Sequence, residues 1–266
     1  MTSHADPSLT YGRYLKVPEL LSLQQPRSDG PEHDEMLFIV IHQVYELWFK
    51  QLLWEGDHLA TRLSLGDRPS AGATLRRMLT ILKTMVAQVD VLETMTPVSF
   101  QSFRTRLESA SGFQSAQFRE WEFLLGLKRP KVIEHYPEGS AERATLQARF
   151  EAPSLWDAFT RFLAHSGVSV PAALLDRDVS TPVEPCPEFH QALIGVYRAS
   201  PDLRVICELL VDLDEGMQEW RYRHVKMVER TIGMRAGTGG SAGVGYLQRT
   251  LFQPVFPDLW AIRSAL

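Results

Sequence analysis

Apolar side chains recur every three or four residues along almost the whole of this chain, and alternating runs of β-branched residues are missing. That period places one apolar stripe on a helix and none on a strand, so the spacing predicts an all-α protein. Three segments carry it most clearly: 35 to 65 (opening EMLFIVIHQVYELWFKQLLWE), 72 to 96 (GATLRRMLTILKTMVAQVDVLETMT) and 202 to 233 (DLRVICELLVDLDEGMQEWRYRHVKMVERTIG). Helices of that length suit a bundle. Shorter helices are expected over 98 to 108, 113 to 125, 140 to 150, 154 to 165, 187 to 199 and 257 to 265. The punctuation agrees: Thr96-Pro97 reads as a cap followed by a first-turn proline, Ser154 with Asp157 as a reciprocal cap, and Gly233 as a stop.

With 266 residues, 44% of them hydrophobic, the chain can bury a sizeable core, and no repeat or long linker divides it. A single domain over residues 1 to 266 is expected, its first ten residues forming an arm that is mobile or docked on a neighbour. The stretches 127 to 140 (KRPKVIEHYPEGSA) and 181 to 187 (TPVEPCP) read as surface connections. A formal charge of -4 offers no broad basic field, which argues against nucleic-acid and anionic-membrane partners. The best apolar run, MLFIVIHQVYELWF, is interrupted by His42, Gln43 and Glu46 before it could span a bilayer, and the start lacks a signal-peptide core, so a cytoplasmic location is expected. Two cysteines, Cys186 and Cys207, make neither a disulfide framework nor a zinc cluster.

Chemistry must then come from the histidines. His4, His33, His58, His135, His165 and His190 fall in polar or terminal contexts and read as solvated. His42 shares its helix face with Phe38, Ile39, Tyr45, Glu46 and Phe49, and His224 shares its face with Met217, Trp220, Met227, Val228 and Thr231. Either alone reads first as a core histidine. A di-iron bundle needs two Glu-x-x-His motifs and only Glu55-Gly56-Asp57-His58 is present; no His-Glu-x-x-His appears, and no non-haem iron triad can be assembled from spacing. A b-type haem asks for less, namely one neutral imidazole, an apolar slot and donors for its propionates. The loop after Gly233 holds five glycines between 237 and 245, but it follows a helix rather than a strand and lacks a Gly-Lys-Ser/Thr ending, so a phosphate loop is excluded.

Four blocks carry more: MLFIVIHQVYELWFKQLLWE, LETMTPVSFQSFR, SGFQSAQFRE and WRYRHVKMVERTIGMRAGTGGSAGVGYL. In their order and spacing they resemble the tryptophan 2,3-dioxygenase family, and the likeness runs from about Tyr11 to the end. The resemblance implies a helical homotetramer with one non-covalent haem b per subunit. It would open the pyrrole ring of L-tryptophan with dioxygen to give N-formylkynurenine, the first step of tryptophan catabolism by the kynurenine route. Position by position, it makes His224 the proximal haem ligand and metal-binding residue, with Trp220 packed beside it and Ser111 and Arg119 near the propionates and the substrate amine. It makes His42 the catalytic histidine that meets the indole N–H and sets Phe38 and Phe100 against the substrate. Arg104 becomes the clamp on the substrate carboxylate, a task that suits a two-pronged guanidinium. Thr238, in the glycine loop, would touch the amino acid's backbone groups, and Tyr11, Tyr14 and Leu15 would reach into a neighbouring subunit's pocket. Some members of the family carry tyrosine at the position of Phe100, which here removes one possible contact to the carboxylate. A broader indoleamine dioxygenase, a non-catalytic haem protein that binds gas, and a helical scaffold are the competing classes.

Overall fold

Thr96 accepts the Ser99 amide on its hydroxyl at 3.1 Å and is followed by Pro97, whose fixed φ and missing N–H suit a first helical turn. Asp67 does the same for Ser70 at 3.1 Å, ahead of Pro69. Ser154 and Asp157 form the expected reciprocal cap: Ser154 N donates to Asp157 Oδ2 at 2.7 Å, and Asp157 N donates to Ser154 Oγ at 3.4 Å. Gly233 ends the last long helix at φ +60°, a backbone setting that side chains with a Cβ resist.

In the computed structural model, which describes residues 9–30, 32–235 and 244–266, such signals delimit helices α1 (Tyr11–Tyr14), α2 (Val17–Leu20), α3 (His33–Ser64), α4 (Arg68–Leu92), α5 (Pro97–Arg104), α6 (Ala116–Leu124) and α7 (Ala141–Glu151). They are followed by α8 (Leu155–His165), α9 (Ala172–Leu175), α10 (Pro187–Ala199), α11 (Pro201–Ile232), α12 (Val244–Gln248) and α13 (Pro257–Ala261). Among the described residues there is no β-strand, and no helix is long and apolar enough to cross a membrane. The three long segments match α3, α4 and α11 within a few residues. The expected helix 98 to 108 ends at Arg104 and continues as a tighter turn, Thr105–Leu107; the one over 113 to 125 begins with such a turn, Gly112–Gln114, before α6. The 257 to 265 segment likewise divides into α13 and the turn Arg263–Ala265. The stretch 127 to 140 is more than a connection, because Pro130–His135 coils and buries Val132 and Ile133 against Phe123 and Leu146. Helices α1, α2, α9 and α12 are too short for a period to announce them.

The core is built where α4 lies between α3 and α11, with α6 and α8 on α3 and with α10 and α13 beside α11. Leu52, Leu59, Leu75, Met78, Leu82, Leu210 and Leu213 are sealed there, each contributing on the order of 1.5–3 kcal/mol by leaving water. Gly56 lets α6 approach, since a Cβ there would overlap Leu124. A second, smaller cluster of Ile41, Leu92, Met95, Phe100 and Phe103 lies where α3 meets α5. One expectation is corrected here: His190 is not simply solvated, because its Nε2 sits 2.9 Å from Oδ1 of the buried Asp258, tying α10 to α13.

Candidate active site

Helices α3, α5, α6 and α11 leave a cavity between them, closed on one side by Leu247 of α12 and by Thr250. Counting its open mouth it holds about 1620 Å³ of empty space.

One wall belongs to His42. Its Nδ1 lies 2.7 Å from the carbonyl oxygen of Phe38, one turn earlier on α3. A carbonyl only accepts, so Nδ1 carries the proton and Nε2 is left as an acceptor. Burial lowers the imidazole below its ordinary range, and the Phe38 bond and the Glu46 carboxylate oppose that only partly, so the ring is neutral at neutral pH. The Phe38 ring stands 4.1 Å from the His42 ring and 5.8 Å from that of Phe100, making a short aromatic stack beside the acceptor.

The other wall belongs to His224. Its ring lies parallel to Trp220, at 6° and 5.3 Å between centroids, and Phe49 and Phe118 hold the indole at 5.9 and 5.0 Å. Burial drives the imidazole down to about 4, with His42 and Arg119 adding to the shift, so a free lone pair faces an apolar slot. His224 makes no hydrogen bond to any described residue, and Trp220 Nε1 is buried without a partner.

Among the described residues no group of three or more His, Cys, Asp or Glu is arranged to hold a metal ion. The Glu55-x-x-His58 motif is spent elsewhere, with Glu55 paired to Arg77 at 3.0 Å and His58 exposed. What remains is two neutral imidazoles, an apolar slot and buried arginines, a donor set that fits a flat macrocycle held through one nitrogen and carrying acidic side chains. Arg119 is buried at 4% exposure and donates to Glu122 at 2.8 Å and to the Phe113 carbonyl at 3.4 Å. Ser111 caps the turn that follows it, accepting the Phe113 amide at 3.3 Å.

The sequence-predicted residues Phe38, His42, Phe100, Arg104, Ser111, Arg119, Trp220 and His224 all line this one cavity. Tyr11, Tyr14 and Leu15 do not line it in a single chain; they stand on and just after α1 with 78%, 71% and 45% of their surface exposed. Thr238 lies outside the described residues. Sequence reasoning missed Glu122 and Arg221 in the cavity wall. Glu122 stands three residues after Arg119, the spacing of a helical ion pair, which is a signal that was available. Arg221 is 99 residues from Glu122 and gave none.

Comparison with known proteins gives one result. A family model described as tryptophan 2,3-dioxygenase matches residues 2–179 and 188–266. The chain is 59% identical over 260 residues to a tryptophan 2,3-dioxygenase of Herpetosiphon aurantiacus, covering 97% of this chain and 99% of that protein. It is 56% identical over 266 residues to the same-named protein of Anaeromyxobacter sp. strain K, covering 98% and 99% of the two chains. A Caulobacter vibrioides tryptophan 2,3-dioxygenase is 45% identical over 261 residues, covering 97% and 98%.

Proposed function

Because the chain belongs to the tryptophan 2,3-dioxygenase family, we propose that it opens the pyrrole ring of L-tryptophan with dioxygen, both oxygen atoms ending in N-formylkynurenine. The observation that carries this reading is a pair of neutral imidazoles, His42 from α3 and His224 from α11, lining one cavity together with Arg104 and Arg119.

Haem b, one non-covalent group per subunit, is the cofactor that suits the donor set. His224 would hold its iron, Trp220 would fix the plane of that imidazole, and Ser111 and Arg119 would meet its propionates. When bound, the haem supplies the activation of dioxygen that side chains lack. The chain does the rest. His42 accepts the indole N–H on Nε2 and so orients the ring; an indole N–H is far too weak an acid for a neutral imidazole to need to remove it. Phe38 and Phe100 pack against the indole, Arg104 clamps the carboxylate, and Thr238 meets the amino acid's backbone groups. Selectivity follows, because an ammonium or carboxylate buried without a partner would be costly. Tyr11, Tyr14 and Leu15 act in a neighbouring subunit's pocket within a homotetramer, a role in keeping with apolar side chains that a single chain leaves in water. The protein works in the cytoplasm.

The test uses protein expressed with haemin, reduced without air and then mixed with L-tryptophan and air. N-formylkynurenine absorbance is the expected result, and His224→Ala should purify without a Soret band. A folded wild-type protein that takes up no pigment, or that takes it up and leaves L-tryptophan intact, overturns the reading.

A further inference from the structure

Glu122 gathers three arginines in one cluster beside the cavity. Its carboxylate, buried on α6, accepts from three guanidiniums: Arg119 Nη1 at 2.8 Å and Arg129 Nη2 at 2.5 Å on Oε2, and Arg221 Nη2 at 3.0 Å on Oε1. Burial pushes the Glu122 carboxyl upward, but these three cations outweigh it and keep the group ionised. Three guanidiniums therefore share this one carboxylate. Neither Arg119 nor Arg221, each 4% exposed, has another ion-pair partner among the described residues, and Arg119 Nε is buried with no acceptor at all. Glu122, Arg119 and Arg221 all form part of the cavity wall. Two buried guanidiniums that share one carboxylate are costly unless further anionic groups meet them.

We infer that Glu122 is a positioning residue: through its two oxygens it holds Arg119 and Arg221 together in the cavity wall as a receptor for a pair of carboxylates. This rests on the haem reading above, under which the pair is the two propionates of the porphyrin. The carboxylate lowers the repulsion among three guanidiniums packed together and fixes their direction, which no arginine supplies for itself. Arg129, whose side chain is 34% exposed, completes the cluster from the loop that follows α6.

The test compares uptake of ferric haem with uptake of its dimethyl ester, in which both propionates are neutral, by titrating pigment-free full-length protein and following absorbance. The wild type should favour the diacid by about 100-fold or more, and Glu122→Gln should cut that preference by about 10-fold. A merely structural role would weaken both pigments alike and leave the ratio unchanged. Arg129→Gln, a milder change at a partly exposed site, should lower the ratio about 3-fold and serves where Glu122→Gln does not fold. A ratio that is unchanged or raised in either folded variant, or a wild type that takes diacid and ester equally well, overturns the inference while leaving the haem reading in place. A wild type that takes up neither pigment overturns both.

Discussion

The Nδ1 proton of His42 is committed to the Phe38 carbonyl at 2.7 Å, and that bond leaves Nε2 able only to accept. In the proposed function that acceptor orients the indole N–H, whose own acidity is too weak to call for its removal. His42→Ala should therefore keep its haem and lower kcat by about 10- to 100-fold, the range that lost orientation produces, as read by Soret absorbance and N-formylkynurenine formation on the same sample. Loss of pigment in that variant would contradict the assignment of His42 to the substrate side. Arg104 makes the complementary case. It sits half-buried at the end of α5 in the cavity wall, and in the proposed function it clamps the substrate carboxylate. Arg104→Ala should raise KM for L-tryptophan by about 100-fold, the usual scale for truncating one side of a desolvated charged pair, and leave any turnover of tryptamine unaltered. Equal losses on both compounds would place Arg104 outside the carboxylate clamp.

Helix ends set how these side chains are presented, and the start of α8 shows the balance of terms. Asp157 accepts from Ser154 N and Oγ at 2.7 and 2.6 Å and from Arg177 Nε and Nη2 at 2.6 and 3.0 Å. Burial raises its carboxyl, but the Arg177 and Ser154 donors prevail and hold it below its usual 3.8. A carboxyl lowered in the fold stabilises above its unfolded value and loses that contribution as pH falls through the folded value, so the window lies below 3.8. Asp157→Asn should cost about 3 kcal/mol in urea unfolding at pH 7 and lose less than the wild type on acidification below 3.8, whereas Ser154→Ala should cost about 1 kcal/mol. A variant with the wild type's full acid sensitivity would remove Asp157 from the account. The Ser-x-x-Asp pattern was legible because cap and partner lie three residues apart, as were α3, α4 and α11, whose apolar period repeats over many turns. Contacts that close across the chain were not: His190 meets Asp258 from 68 positions away, and Arg221 reaches Glu122 across 99, so neither context carries a local pattern. The cavity was legible from His42 and His224 only with the resemblance beside them; apolar spacing alone places both in a core.

At the scale of the molecule, the single chain presents a surface that asks for company. Leu9, Tyr11, Tyr14, Leu21 and Leu23 stand exposed along the first described segment, and Gln24 Nε2 fastens that segment to α3 by donating to Gln43 Oε1 at 2.6 Å. Apolar side chains concentrated on a tethered arm gain by burial, which the proposed exchange would supply from a second copy. Under the proposed exchange, each pocket is completed by a neighbour's arm, so two defects on different chains should repair each other. Tyr11→Ala/Tyr14→Ala leaves a subunit with a sound pocket and a poor arm, while Arg104→Ala leaves a sound arm and a poor pocket. Each alone should raise KM for L-tryptophan, the first by about 10-fold, the loss expected when well-packed aromatic anchors are truncated. Co-expressed in equal amounts, they should form mixed assemblies in which about half of the sound pockets receive a sound arm, and a phase with the wild-type KM should return. Sedimentation of the mixed sample checks that the two variants share one assembly. If that holds and no low-KM phase appears, the arm serves its own chain or none, and the exchanged contact must be abandoned even with the haem site intact.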